Sequence, residues 1–178
     1  ILDSDAIVGT ITPEASLETG LPEHVRVICG GVDNSCMALG SKGIKPSRIY
    51  TSLGSSAWIA LVSENPVLDF EKKPYVFAHV IKGMYASAAC IFSAGSSLQW
   101  VRNTICPDLL SAEEQGGEDA YIAMNKLAET SAPGANGLLF NPSLAGGSSI
   151  EPSPDMTGAF TGLRLGNTRA DLIRATME

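Results

Sequence analysis

The chain has 178 residues, enough for one ordinary domain with a real core, and with 44% hydrophobic against 17% charged residues it is neither a disordered acidic tail nor a polyelectrolyte. Its net charge of −7 argues against a broad nucleic-acid face, because phosphate backbones select basic surfaces. No apolar run approaches the roughly 18–20 residues that span a bilayer, and the acidic start Ile1-Leu2-Asp3-Ser4-Asp5 lacks the basic segment of a signal peptide, so a cytoplasmic protein is expected.

Residues 1–24 are mixed. Thr12 followed by Pro13 predicts a short helix over 13–19, since proline suits the first helical position. Residues 25–29 are a short β-branched run ended by Gly30-Gly31. Asp33 follows, and 34–39 read as a short helix, so an acid stands at a strand-to-helix turn behind a glycine pair. Strands are expected over 48–53 and 58–62, joined tightly by Gly54-Ser55-Ser56-Ala57. Residues 66–74 read as a loop, and 75–81 with 84–89 as a hairpin turning at Lys82-Gly83. Ile91, Ala94, Leu98, Val101 and Ile105 recur at helical spacing, with Gly95, Gln99 and Arg102 on the opposite face. The acidic stretch 113–119 is expected to open a second helix running to residue 129. Strands over 137–140 and 158–163 flank an irregular polar stretch, 141–154. Thr168-Arg169-Ala170-Asp171 matches a capping box, with Leu172, Ile173 and Thr176 facing inward. The chain opens at Ile1 and stops inside this helix, which suggests a part of something longer.

Several chemistries lose their usual supports. There is no G-x-x-x-x-G-K-[ST], G-x-G-x-x-G or H-E-x-x-H, and no G-x-S-x-G. Cys29, Cys36, Cys90 and Cys106 form no C-x-x-C pair, and with only His24 and His79 beside them a zinc site is not expected. All four read as reduced, mostly buried thiols. His79 lies mid-strand between apolar neighbours and reads as structural.

Three features admit a functional reading beside a plain one. Asp33 is either a helix N-cap or a catalytic carboxylate at the carboxyl end of a strand, where open α/β sheets bind ligands. Gly54-Ser55-Ser56 is either a hairpin turn or a phosphate cradle of backbone N–H groups and hydroxyls. Gly95 and Gln99 share one helix face, and a glycine there implies either close packing or close approach of a nucleotide.

These pieces stand in the order found in the FGGY carbohydrate kinase family, which the chain resembles, particularly its xylulokinase-like members. Gly30-Gly31-Val32-Asp33-Asn34 resembles the family's G-G-G-D-N. Ser52-Leu53-Gly54-Ser55-Ser56-Ala57 resembles its S-L-G-T-S-G phosphate segment, and the stretch from Ser93 to Trp100 a helix start with a nucleotide-contacting Gly and Gln. Leu138-Leu139-Phe140-Asn141-Pro142 and the five residues after it resemble L-L-F-x-P-x-L-x-G-E. Gly158-Ala159-Phe160-Thr161-Gly162-Leu163, followed after seven intervening residues by Asp171-Leu172-Ile173-Arg174, satisfies the C-terminal signature at every constrained position. The matches span residues 25–178.

The resemblance implies an α/β, actin-like ATPase (ribonuclease H-like) two-domain fold, present here only in part. Residues 1–46 would end the N-terminal domain and 47–178 begin the C-terminal one. It implies an ATP-dependent kinase for a sugar, with a pentulose such as D-xylulose expected first. Asp33 would be the general base, Asn34 a sugar contact, and Gly54, Ser55 and Ser56 would hold phosphate oxygens. Gly95 and Gln99 would contact the nucleotide. Asn34 favours the xylulokinase-like subgroup, since glycerol kinase-like relatives usually carry Gln there. Kinases for another ketose, a polyol or an aldonic acid are the rivals, with a non-catalytic sensor as the rival from another class. ATP and Mg²⁺ are the implied cofactors; the partners are a small sugar and ATP, no nucleic acid or membrane, with a homodimer as the assembly to test. Val32, Ser55 and Ala57 depart from the pattern, as does Gly147-Ser148-Ser149 where G-E-R-[TS] is common. The family's Mg²⁺ contact, first phosphate loop, most sugar contacts and adenine motif lie outside residues 1–178, so this chain alone is expected to be inactive.

Overall fold

The computed structural model describes residues 1–148 and 150–178, which divide into two compact units. The first comprises residues 1–50 and 59–88, the second 51–58 and 89–178.

In the first unit β1 (Ile7–Thr10) pairs antiparallel with β2 (Arg26–Ile28), the register shifting between Ile7 and Gly9. Between them runs α1 (Pro13–Thr19), whose start is as expected: Thr12 Oγ1 accepts from Ala15 N at 3.2 Å and Pro13 takes the first turn. β1 was not foreseen, because its four residues are exposed and carry no alternation of apolar and polar. Helix α2 (Asp33–Gly40) follows the glycine pair and buries Ser35 and Ala38. Strands β3 (Ile49–Leu53), β4 (Ala57–Ser63), β5 (Tyr75–Ala78) and β6 (Tyr85–Ile91) make a four-stranded sheet in the order β3-β4-β6-β5. The β5–β6 hairpin is antiparallel, from Tyr75 opposite Ala88 to Ala78 opposite Tyr85. Ala60, Val62, Ala86 and Ala88 are buried on it, small side chains that let the sheet pack closely.

The second unit is mostly helical. Helix α3 (Gly95–Ile105) starts later than the apolar spacing suggested, because Ile91 ends β6 and Ala94 is the residue before the helix. The expected helix from the acidic stretch is instead two: α4 (Pro107–Glu114) and α5 (Ala120–Glu129). Gly116-Gly117 stops the first, and Asp119 caps the second by accepting from Ile122 N at 3.0 Å. Helix α6 (Arg169–Met177) packs on α3 and α5 around Val101, Cys106, Met124, Ala128 and Ile173. Strands β7 (Leu139–Asn141) and β8 (Ala159–Thr161) pair antiparallel, with the rings of Phe140 and Phe160 4.8 Å apart. Those rings close a smaller core around Ala135, Leu138 and Ala175.

All four thiols are free. Cys90 and Cys106 are buried, while Cys29 and Cys36 are exposed, contrary to the expectation of mostly buried thiols. Cys29 follows the solvated β2, and Cys36 lies on the outer face of α2. Among the described residues no helix is long and apolar enough to cross a membrane.

Candidate functional site

In the first unit the chain turns from β2 into α2 through Gly30-Gly31. Gly30 has φ +76°, and a Cβ at Gly31 would stand 2.4 Å from Val80 Cγ1. Neither position tolerates a side chain without strain. Asp33 is the first residue of α2, not its N-cap. Val32 holds the cap position and makes no side-chain bond there, so the capping reading of Asp33 is corrected. The Asp33 carboxylate is exposed, and its Oδ1 accepts from Asn34 N at 2.7 Å. A carboxylate in a first helical turn is favoured by the helix dipole.

Two side chains tie this turn to the sheet. Ser35 Oγ donates to the Ala78 carbonyl at 2.7 Å, and Tyr50 Oη donates to the Asn34 carbonyl at 3.0 Å. Tyr50 is 7% exposed, and its phenol pKa is pushed up by burial and by the Asp33 charge. Sequence reading missed both ties. The signal for Tyr50 was present: in β3 it is the buried residue between exposed Ile49 and Thr51, and a buried tyrosine hydroxyl needs a partner.

His79 lies just past β5 in the hairpin connection, not mid-strand as expected. It is buried, and its Nδ1 accepts from Ile81 N at 2.9 Å. Burial lowers its pKa, with the Gly43 backbone pulling the other way.

In the second unit the Gly54-Ser55 turn sits on the start of α3. The Gly54 carbonyl accepts from Gly95 N at 2.9 Å. The Ser55 carbonyl accepts from Ala94 N at 2.8 Å, Ser96 N at 3.2 Å and Ser96 Oγ at 2.9 Å. A Cβ on Gly95 would stand 2.6 Å from the Gly54 oxygen. Close packing therefore accounts for this glycine, and its N–H is committed to the turn. Gly54 N donates to the Ser56 carbonyl at 2.9 Å. Ser55 and Ser56 are exposed, and among the described residues neither their N–H groups nor their hydroxyls donate a hydrogen bond. Gln99 is exposed one turn further along α3. Thus Gly54, Ser55, Ser56 and Gly95 come together with Gln99 on the adjoining turn, and Asp33 and Asn34 adjoin each other in the other unit.

The capping box of α6 holds more than a cap. Asp171 is 2% exposed, and its carboxylate accepts from Ser131 Oγ at 2.6 Å, Thr168 N at 2.7 Å and Asn136 Nδ2 at 2.8 Å. These donors, Ser131 first, hold its pKa far below the usual carboxylate range against the opposing effect of burial. Where Gly147-Ser148-Ser149 departs from the family pattern, Glu151 supplies a carboxylate to Ser143 Oγ at 3.0 Å and to Ser148 N. Ser149 lies outside the described residues. Among the described residues no three His, Cys, Asp or Glu side chains gather as metal ligands.

The sequence profile of the FGGY family of carbohydrate kinases, C-terminal domain, matches residues 49–178. A xylulose kinase from Staphylococcus epidermidis is 30% identical over 178 residues, covering all of this chain and 34% of its own length. A gluconokinase from Bacillus licheniformis is 28% identical over the same span, again 34% of its length. The crystal structure of xylulose kinase from Rhodospirillum rubrum superposes with a TM-score of 0.78 at 28% identity, covering 98% of this chain and 33% of that one. The chain thus spans about a third of the length of the curated relatives it matches.

Proposed function

The chain belongs to the FGGY family of carbohydrate kinases and carries part of its actin-like ATPase fold, and from that premise we propose that the whole protein transfers the γ-phosphate of ATP to a sugar hydroxyl. Residues 1–46 end its N-terminal domain and 47–178 begin its C-terminal one, a division supported by the family profile starting at residue 49. Asp33 takes the proton of the hydroxyl as its oxygen attacks phosphorus, and Asn34 holds the sugar. The exposed carboxylate at a rigid glycine turn supports that role.

The observation that carries the proposal is the Gly54-Ser55-Ser56 turn. The Gly54 and Ser55 carbonyls are bonded to the start of α3 and the Ser56 carbonyl to Gly54 N, while the N–H groups and hydroxyls of Ser55 and Ser56 stay available to an anion. Phosphoryl transfer passes through a loose transition state whose charge lies on equatorial oxygens, so fixed donors of this kind are what the reaction requires. Gln99 offers an amide to the nucleotide. Gly95 contributes by letting the turn and helix meet, since its own N–H is spent.

The first substrate to test is a pentulose, D-xylulose, on the strength of Asn34 and the xylulose kinase relatives. An aldonic acid is the second reading, favoured by gluconokinase relatives that match over the whole chain. Full-length protein assayed by coupled ADP release against D-xylulose, other ketoses, glycerol and gluconate separates these. Asp33→Asn is expected to reduce turnover by at least about 10²-fold, within the range that general base catalysis contributes, while sugar binding by calorimetry persists. Undiminished turnover in that variant would exclude Asp33 as the base, and absence of turnover with every sugar would favour a sensor.

A further inference from the structure

The start of α2 is held unusually. Its N-cap, Val32, offers no side chain to the orphan N–H groups, and the Asp33 carboxylate turns to the N–H of its own neighbour, Asn34. An uncapped first turn frays readily, yet here it carries both residues proposed to meet the sugar. The missing cap is offset by lateral ties to strands: Ser35 to the Ala78 carbonyl, and Tyr50 to the Asn34 carbonyl at 3.0 Å.

Resting on the reading of Asp33 as general base, we infer that Tyr50 is a positioning residue, whose hydroxyl clamps the peptide of Asn34 and so fixes the direction in which the Asp33 and Asn34 side chains leave the helix start. Three observations support this. The acceptor is the carbonyl of Asn34, the residue immediately after Asp33, so the bond anchors the first turn of the helix at the residue next to the base. Tyr50 is 7% exposed and built into β3, so its ring is immobile and has few rotamers to lose. Burial first, and the Asp33 charge second, raise the phenol's pKa, so the carboxylate lies within electrostatic reach of the hydroxyl. Tyr50 touches no reacting atom in this account; it acts through Asn34 and Asp33, as a supporting residue does when it locks a functional turn to a rigid element.

The test uses the full-length protein and Tyr50→Phe, which removes one oxygen and keeps the buried ring. Turnover number is expected to fall about ten-fold, because a misplaced base costs rate rather than nucleotide affinity. KM for ATP is expected to stay within about two-fold of wild type and the melting temperature within a few degrees. Substitution of Tyr50 by p-aminophenylalanine restores a donor at the same place and is expected to recover most of the lost turnover. If Asp33→Asn abolishes turnover but Tyr50→Phe leaves it unchanged, the positioning role is wrong and the base assignment stands. If Asp33→Asn is fully active, the base assignment fails and this inference with it. A Tyr50→Phe protein that is unfolded, or that loses ATP affinity and melting temperature together with rate, and is not recovered by the amino analogue, assigns Tyr50 a purely structural role and overturns the inference.

Discussion

Replacing Gly95 by alanine sets helix α3 against the turn that rests on it. The new Cβ would stand 2.6 Å from the Gly54 oxygen and 3.2 Å from its carbonyl carbon, with Ser55 Cα at 3.7 Å. Ordinary contact between heavy atoms is about 3.5 Å, so the carbonyl must retreat by roughly 0.9 Å. The bonds opposing that retreat are Gly95 N to Gly54 O at 2.9 Å and the three donors on the Ser55 oxygen. A retreat of this size stretches the first of them beyond hydrogen-bonding distance, a loss of about 0.5–1.5 kcal/mol. Alanine at this first helical position returns only part of the roughly 1 kcal/mol that separates it from glycine in a helix interior. The two terms partly cancel, so the folded protein is expected to survive with a melting temperature close to wild type. Activity has no such compensation, because the moved residues are those proposed to hold the transferring phosphate. A displacement near 1 Å at such a site costs on the order of 10²-fold in rate. The measurement is sugar-dependent ADP release by full-length protein, paired with a thermal melt. A Gly95→Ala protein with turnover within two-fold of wild type would refute the claim that this turn positions the phosphate.

Three further expectations concern stability. Asp171 has a folded-state pKa far below its ordinary value near 3.9, so its contribution is present above that value and is lost as pH falls toward the folded pKa. Protection of the amides at residues 131–137, relative to free peptide at the same pH, is therefore expected to fall below about pH 4, and Asp171→Asn is expected to lower it already at pH 7 and to flatten the acid dependence. Equal exchange in the two proteins at pH 7 would contradict this. Ile173 is fully buried among Val101, Met124 and Ala128, and Ile173→Ala is expected to cost about 2–5 kcal/mol in denaturant unfolding. Leu165→Ala at a fully exposed position is expected to change stability by less than about 0.5 kcal/mol.

Helix starts were legible wherever a local rule sufficed. Thr12-Pro13 opened α1 at the expected residue, and Thr168 with Asp171 formed the expected capping box. The hairpin of β5 and β6 followed from its composition, and the family followed from motifs in a fixed order. Local spacing also misled. The apolar repeat that includes Ile91 crosses from a strand into a helix, because both elements bury the same kind of residue. The acidic run at 113–119 has the composition of a helix start, yet most of it lies between two helices.

The sequence by itself determined the list of candidate residues: Asp33 and Asn34 behind a glycine pair, the Gly54-Ser55-Ser56 turn, and Gly95 with Gln99 on one helix face. It left the reason for each open. Tertiary structure decided that Gly95 exists for the turn packed on it, since Gly54 and Gly95, 41 positions apart, meet only in the folded chain, the separation that also joins Ser55 to Ser96. It decided that Asp33 is not a cap, that Tyr50 reaches back 16 positions to the residue beside it, and that Asp171 is buried on donors 35 and 40 positions away. Each of these depends on which distant backbone atoms the folded chain brings within about 3 Å, the range over which hydrogen bonds and steric contacts act, and no periodicity or cap rule encodes that.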